Sequence, residues 1–316
     1  MQNHSVPYVG NGAYCYANST AMLLSAIGET TSPSRIEVLS GVGLGSCLEK
    51  ESSLVYFSNL TGMPDIGISK ALDILGFSYV EKASQEAEPD PFEELSEILV
   101  KSPVLLGPLD MSYLSYNPRR PSATGIDHYI LALGIDSREI HLHDPAGFPH
   151  VSISLEQLKP AWKAESISYR RNFYRYWASP KRIEEPTEEK IYNQALRFFK
   201  SIYQESENEA TGEKWIIGRE AILTCARRIR LNIASQDEID QLTHFALPLG
   251  AKRALDFASF FDFRDVDLAL LKRKQATVFG QCQTKATESD WDSVAGALSE
   301  LADIEEEFRI KLLTKK

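Results

Sequence analysis

In the N-terminal half of the chain, the hydrophobic residues follow two different spacings. Ile66–Gly76 and Phe92–Lys101 carry apolar residues at helical intervals, which predicts two helices. Pro103–Gly107 and His128–Leu133 are short apolar runs that predict buried strands. Glu139–His143 alternates between polar and apolar residues and predicts a further strand. Together these patterns predict an α+β domain.

Helical spacing dominates after a change of pattern near residues 178–190. We interpret Ser179–Pro186, which has two prolines and mixed charge, as a linker. Three apolar stripes at helical intervals follow it: Leu196, Phe199, Ile202 and Tyr203; Ile222, Ala226, Ile229 and Ile233; Leu298, Leu301, Ile304 and Phe308. They predict a bundle of four to six helices. The expected architecture is therefore an α+β domain over residues 1–180 and an α-helical domain over residues 187–316.

The composition fits this organisation and excludes some classes of function. A length of 316 residues with 43% apolar residues suits two packed domains. A formal charge of −10 gives no overall attraction to nucleic acid. The sequence has no apolar run long enough to predict a transmembrane helix, and Met1–Pro7 lacks the pattern of a signal peptide. The four cysteines form no CxxC pair, so we expect a protein of the reducing cytoplasm without a membrane partner.

The first candidate for chemistry is Cys15, where a glycine-containing loop runs into a predicted amphipathic helix. Gly28 suits the C-terminal cap of this helix, and four apolar residues recur at helical spacing within it: Ala17, Ala21, Leu24 and Ile27. In the first turn, unpaired N–H groups and the helix dipole favour a thiolate, which is the form that a nucleophile needs. The alternative is that Cys15 is a small buried apolar residue.

His128 and Asp144 complete a possible catalytic group. His128 begins the predicted buried strand, Gly134–Arg138 resembles a turn, and Asp144 ends the following strand. In an antiparallel pair these two ends are neighbours, so Asp144 is expected to orient the His128 imidazole while His128 serves Cys15.

This order of residues resembles the papain-like cysteine fold, and in particular the BtrH-type family, whose namesake acts in butirosin antibiotic biosynthesis. The resemblance covers about the first 175 residues and is carried by four segments: Tyr14–Ala21, Gly107–Leu114, Asp127–Ile130 and Leu142–Gly147. It implies acyl transfer through a cysteine thioester, from an acyl carrier protein to a small amine acceptor, without a cofactor or metal. Peptidases and amidases share the fold, so hydrolysis is one alternative function, and a non-catalytic binding module is another.

One position departs from the papain-like peptidase pattern. Those enzymes usually have a glutamine six residues before the cysteine to form the oxyanion hole, and Val9 stands there in this chain. We expect Asn11 or Asn18 to replace it, together with the backbone N–H of Cys15.

Substrate-binding residues are expected in Gly107–Pro118, which directly follows a predicted strand. Asp110 has the charge to pair with a cationic amine, and Tyr113 and Tyr116 are suited to line a pocket. The alternative is an ordinary turn whose aromatic residues cover the core.

Three further segments have both a functional and a structural interpretation. The basic aromatic stretch Tyr169–Trp177 is either a docking patch for an acidic carrier protein, with Arg170 and Arg171 in contact, or an edge strand with solvated arginines. Gly41–Ser46 lacks the Lys-Ser/Thr ending of a phosphate loop and is interpreted as a flexible or tight loop near the mouth of the active site. The third set is His141, His143 and His150 together with Asp144, which we interpret as a polar strand face in preference to a metal site.

Overall fold

The computed structural model describes residues 3–10, 13–87, 90–209 and 214–315. The chain forms two compact units, one from Met1–Ile36 and Pro64–Thr187 and the other from Glu37–Met63 and Glu188–Lys316. The predicted first domain includes residues 37–63, whereas in the structure they pack with the C-terminal residues. The predicted fold class, an α+β domain followed by an α-helical domain, is confirmed.

Helices occur in both units. Those of the described residues are α1 Cys15–Ser25, α2 Pro33–Ser40, α3 Pro64–Ile74, α4 Phe92–Leu99, α5 Leu155–Lys163, α6 Glu188–Glu209, α7 Gly218–Arg230, α8 Gln236–Gln241, α9 Leu247–Phe261, α10 Val266–Thr287 and α11 Trp291–Thr314. A π-helical segment, Leu242–Ala246, joins α8 to α9. In this part of the chain, no helix is long and apolar enough to cross a membrane.

The strands form two separate sheets. They are β1 Cys47–Glu49, β2 Val55–Tyr56, β3 Phe77–Ser84, β4 Val104–Asp110, β5 Asp127–Ile135, β6 Glu139–Asp144, β7 Phe148–Ser154, β8 Phe173–Arg182 and β9 Trp215–Ile217. The first unit contains a six-stranded antiparallel sheet of order β3-β8-β4-β5-β6-β7. The second contains a short sheet of order β2-β1-β9.

Both faces of the large sheet are covered, which explains why its central strands are apolar almost throughout. On one face Leu106, Ile130 and Tyr176 belong to a core cluster with α4 and α5. Tyr129 and Trp177 alternate with residues of that cluster and therefore point to the other face, where the Tyr129 ring meets Tyr16 of α1. Helix α1 packs over β5, and this contact brings Cys15 towards the start of that strand.

Strand β8 corrects two predictions. The basic stretch does not form an edge strand, because β8 lies between β3 and β4. Ser179–Arg182 does not belong to a linker either, since β8 continues through Arg182. Cross-strand pairing with two partners outweighs the local signals of Pro180 and the charged residues that follow it.

The second unit is built from helices around an aromatic core formed by Phe199, Phe257, Phe261 and Phe308. Its small sheet joins distant segments, with Cys47 opposite Ile217. The predicted apolar stripes are buried except for Ile233, which lies beyond the end of α7 and is 55% exposed.

Candidate active site

Cys15 is the first residue of α1 and is half-buried. Tyr14 precedes it with φ 57° and ψ 48°, a left-handed conformation that turns the loop into the helix. The three other cysteines are buried, and burial raises the pKa of each thiol to about 12: Cys47, Cys225 and Cys282. Cys15 is thus the cysteine that solvent reaches.

The side chain of Asn18 holds the loop in front of Cys15. Its amide nitrogen donates to the carbonyl oxygens of Ala13 at 2.5 Å and Tyr14 at 3.0 Å. Since both N–H groups of the amide are used in this way, Asn18 positions the loop and is not directed at an oxyanion, contrary to the prediction. Asn11, the other predicted oxyanion residue, lies outside the described residues.

His128 is placed beside Cys15 by a contact between α1 and β5. The Ser19 hydroxyl donates to the carbonyl oxygen of Tyr129 at 3.1 Å, one residue after His128. The Cys15 side chain lies close enough to the His128 ring to raise the pKa of the imidazole. His128 itself is only 4% exposed.

Asp144 completes the group from the end of β6. Its Oδ1 atom lies 2.6 Å from Nε2 of His128 and accepts from the N–H of Ala146 at 2.7 Å. The Tyr116 hydroxyl donates to Oδ2 at 2.9 Å. Since Nε2 of His128 is bound to Asp144, Nδ1 is the ring nitrogen that remains for Cys15. The structure thus brings together the three predicted catalytic residues, Cys15, His128 and Asp144.

The electrostatics favour a charged His128–Asp144 pair. Burial lowers the pKa of His128, but the Asp144 carboxylate and the Cys15 side chain outweigh burial and raise it to about 10. Burial raises the pKa of Asp144, whereas His128, Ala146 and Tyr116 lower it more strongly, so that the net shift is downwards. An imidazolium between a carboxylate and a thiol is the arrangement that stabilises a thiolate.

The N-terminal segment supports the turn after Asp144, a feature that the sequence analysis missed. The Tyr8 hydroxyl donates to the carbonyl oxygen of Asp144 at 2.9 Å and accepts from the N–H of Gly147 at 3.0 Å. Gly10 passes so close to Pro145 that a Cβ atom would clash with its backbone. No local sequence pattern predicts this pairing of residues more than 130 positions apart.

The three predicted substrate-binding residues, Asp110, Tyr113 and Tyr116, have different environments in the structure. Asp110 is 1% exposed and accepts from the N–H and hydroxyl of Ser112 at 2.8 and 2.6 Å and from the hydroxyl of Ser166. Burial raises the pKa of Asp110, but these hydrogen bonds lower it overall. The buried Asp110 therefore caps the 3₁₀ turn Met111–Tyr113 and does not face a substrate amine. Tyr116 holds Asp144, and Tyr113 is 43% exposed.

The arginines of the basic aromatic stretch make internal contacts. Nε of Arg171 lies 2.8 Å from the buried Asp65 carboxylate, and Arg175 pairs with Glu81. The Arg170 guanidinium lies 4.0 Å from the ring centre of Phe173. Each of these three arginines therefore has a contact within the first unit.

The histidines of the second hairpin also have structural roles. His143 is buried, accepts from the N–H of His150 and bonds to the carbonyl oxygen of Val6 at 3.1 Å. The ligand atoms of Asp136, Glu139 and His141 lie within 4.8 Å of one another on a surface turn, and this is the cluster of the described residues with the spacing to hold a metal ion. The Gly41–Ser46 loop belongs to the second unit, where Gly41 packs against Ile202 and Gly43 against Arg253.

A cysteine at the start of a helix, with a histidine and a buried carboxylate on an antiparallel sheet, defines the papain-like class of fold. Within that class the chain belongs to the YobF family. It is 44% identical over 306 residues to a protein of Bacillus subtilis (strain 168) described as "Uncharacterized protein YobF", covering 97% of this chain and 98% of the relative. The family model described as "YobF C-terminal domain" matches residues 212–313. These matches do not confirm the predicted BtrH-type family.

Among solved structures, the chain is similar to the peptidase domain of Streptococcus ComA, described as a bi-functional ABC transporter involved in a quorum-sensing pathway. The two share 15% identity with a TM-score of 0.35, over 55% of this chain and 98% of that domain.

Proposed function

We propose that this protein is a cysteine-dependent acyltransferase that carries the acyl group as a thioester on Cys15. The observation that supports this proposal most strongly is the buried pair of His128 and Asp144, 2.6 Å apart, beside the Cys15 side chain that raises the pKa of His128. A nucleophile, a base and an orienting carboxylate in this order are what acyl transfer needs. Burial of the three other cysteines also supports Cys15 as the nucleophile.

In the proposed reaction, the Cys15 thiolate attacks the carbonyl carbon of an acyl thioester, and the carbonyl π electrons move to the oxygen. Collapse of this tetrahedral intermediate breaks the bond to the leaving sulfur, which takes a proton from His128. An acceptor amine then attacks the acyl-enzyme and gives its proton to His128, and Cys15 leaves as a thiolate. Throughout, Asp144 orients the imidazole and stabilises its charged form.

The oxyanion of the intermediate is assigned to the backbone N–H of Cys15. This group lies in the first turn of α1, where amides have no acceptor within the helix and the helix dipole is positive. A donor of this kind contributes most where it is aimed in advance at the developing charge. Asn18 supports this donor indirectly, through the carbonyl groups of the preceding loop.

For the substrates we propose an acyl thioester donor, such as an acylated carrier protein, and a small amine acceptor. Hydrolysis by the same residues is the second candidate function. One observation favours it: Asp110, which was expected to bind the amine, is buried and fully engaged with Ser112 and Ser166.

Intact-protein mass spectrometry after incubation with acyl thioesters of N-acetylcysteamine tests the proposal. We expect one added acyl group on the wild type, located on the peptide that contains Cys15. Cys15→Ala should carry none, whereas Cys225→Ala should be acylated like the wild type, because Cys225 is buried. Acylation of the Cys15→Ala variant would show that another nucleophile is responsible, and no acylation of the wild type would favour a non-catalytic binding module.

The same acyl-enzyme distinguishes transfer from hydrolysis. If the protein is a transferase, a panel of small amines should accelerate loss of the acyl group and yield the corresponding amides. Loss at a rate that no amine changes, with free acid as the product, would show hydrolysis instead.

A further inference from the structure

Residues 3–10 pack against β5 and β6. The backbone N–H of His4 donates to the carbonyl oxygen of Leu133 on β5 at 3.0 Å. The carbonyl oxygen of Val6 lies 3.1 Å from Nε2 of His143 on β6. Because the segment is bonded to both strands, its position is fixed relative to the hairpin that carries the proposed base and its carboxylate.

The Tyr8 hydroxyl joins the two ends of the turn that follows β6. It donates to the carbonyl oxygen of Asp144 at 2.9 Å and accepts from the N–H of Gly147 at 3.0 Å. The same turn carries the N–H of Ala146, which donates to the Asp144 carboxylate at 2.7 Å. One hydroxyl thus holds the backbone at both ends of the turn that positions this carboxylate.

The surroundings of the Tyr8 ring keep it in place and keep its hydroxyl protonated. The ring meets the buried His143 ring edge to face, with centroids 5.4 Å apart. Burial and the Asp144 carboxylate raise the pKa of Tyr8 and outweigh the opposing hydrogen bond from Gly147. Burial lowers the pKa of His143, so this neighbour is uncharged near neutral pH. The hydroxyl therefore remains a donor over the pH range in which a cysteine is activated.

We propose that Tyr8 is a positioning residue for the activation of Cys15. Its hydroxyl holds the turn after β6, so that the Asp144 carboxylate keeps its alignment with His128 and His128 keeps its charge beside the thiol. This inference rests on the catalytic group proposed above and extends it to a residue 136 positions from Asp144. The hydrogen bonds of the Tyr8 hydroxyl are to backbone atoms, so Tyr8 acts through the turn and not on the reacting atoms.

The pH profile of Cys15 alkylation by iodoacetamide in Tyr8→Phe tests the proposal without any acyl substrate. This variant keeps the ring and loses both hydrogen bonds. We expect the profile to move up by about half a pH unit or more, with labelling about threefold slower on its acid side, because a less aligned carboxylate stabilises the imidazolium and the thiolate less.

The wild-type profile separates this inference from the proposed function. An unchanged profile in Tyr8→Phe, with activated labelling of Cys15 in the wild type, would overturn the positioning role of Tyr8 alone. Labelling of the wild type only near the ordinary thiol pKa would overturn the catalytic group as well.

Tyr79→Phe is the matched control within the first unit. The Tyr79 hydroxyl also makes two hydrogen bonds, to the carbonyl oxygen of Ser69 at 3.2 Å and to Oδ1 of Asp73 at 3.1 Å. This variant should lose stability to urea as Tyr8→Phe does, but it should keep the wild-type labelling profile. An equal shift of the profile in Tyr79→Phe would show that loss of stability, and not positioning, is the cause.

Two further variants separate positioning from folding. Asp144→Asn keeps the backbone carbonyl that Tyr8 contacts and removes the carboxylate charge, so adding Tyr8→Phe to it should not shift the profile further. Gly10→Ala keeps the hydroxyl but adds a Cβ atom that would clash with it and with the Pro145 backbone, so this variant should shift the profile as Tyr8→Phe does.

Circular dichroism checks that each variant is folded, and Gly10→Ala decides the proposal if Tyr8→Phe does not fold. An additional shift in the Asp144→Asn background, or a wild-type profile in folded Gly10→Ala, would overturn the proposal.

Discussion

At the scale of single residues, Tyr116 lets the role of Asp144 be tested without removing a member of the catalytic group. Its hydroxyl donates to Oδ2 of Asp144, and this hydrogen bond lowers the pKa of the Asp144 carboxyl. We predict that Tyr116→Phe shifts the acid limb of the pH profile of kcat/KM to higher pH. The rate at low pH should fall about tenfold, since a hydrogen bond to a charged group contributes ~1.5–3 kcal/mol.

Tyr113→Phe is the matched control for Tyr116→Phe, because Tyr113 is in the same segment and 43% exposed. It should leave the pH profile unchanged. If Tyr116→Phe lowered the rate equally at every pH, Tyr116 would have a packing role and not a positioning one.

The charge of His128 predicts how stability depends on pH. Burial lowers the pKa of His128, but Asp144 and Cys15 raise it to about 10, above its ordinary value of 6.5. The resulting stabilisation is fully present below pH ~6.5 and is lost as the pH rises to ~10. We predict that the difference in unfolding free energy between wild type and His128→Gln, from urea denaturation, shrinks by a few kcal/mol across this range, at ~1.4 kcal/mol per pKa unit. A difference that does not change with pH would contradict the charged pair.

The role of a residue could be predicted from the sequence where a local pattern determines the position of its side chain. Cys15, His128 and Asp144 were found because a loop-to-helix junction and a hairpin place them. Asp110 was misinterpreted, although an Asp two residues before Ser112 is a common capping pattern that indicates a structural role. The role of Tyr8 could not be predicted from the sequence, because its hydroxyl bonds to the backbone of Asp144, which is 136 positions away.

At the scale of elements, the start of α1 determines the position of the nucleophile. Asn18 ties this helix to the carbonyl groups of Ala13 and Tyr14. We predict that Asn18→Ala lowers the rate of Cys15 acylation about tenfold and the unfolding free energy by ~1–2 kcal/mol, the contribution of the lost hydrogen bonds. Stopped-flow acylation and urea denaturation measure the two effects.

Thr20→Val is the control on the same helix. The Thr20 hydroxyl bonds to the carbonyl oxygen of Tyr16 at 2.7 Å, within α1, and does not reach the loop. This variant should keep the wild-type acylation rate. Equal rates for Asn18→Ala and the wild type would show that the loop holds its conformation without Asn18.

Elements with strong periodicity were predictable, and those fixed by distant pairing were not. The predicted helices near residues 66 and 92 correspond to α3 and α4, and the predicted hairpin corresponds to β5 and β6. The predicted strand Pro103–Gly107 corresponds to β4, which continues to Asp110. The second part of β8 was missed because its proline and charges resemble a linker, while its pairing with β3 and β4 is non-local.

At the scale of the whole molecule, the chain crosses between the two units more often than the sequence indicated. Residues 37–63 belong with the C-terminal unit, where β1 pairs with β9 some 170 positions away. These strands have only three residues each, too few for a periodic signal. Sequence patterns predicted two domains. They did not predict that residues 37–63 belong to the second unit, because this depends on the pairing of β1 with β9, which leaves no local pattern.

Activation of Cys15 by His128 and Asp144 is tested by the rate at which iodoacetamide alkylates each cysteine as a function of pH, followed by peptide mass spectrometry. Three buried thiols, whose pKa is raised to about 12, are the internal references: Cys47, Cys225 and Cys282. His128→Ala is the matched variant.

We predict rapid labelling of Cys15 well below the ordinary thiol pKa of ~8.5. In His128→Ala this labelling should be lost or shifted to higher pH, and the reference cysteines should label slowly in both proteins. Labelling of Cys15 that rises only near pH ~8.5 and is the same in His128→Ala would show that His128 does not activate Cys15. The chain would then be a binding protein with a papain-like fold.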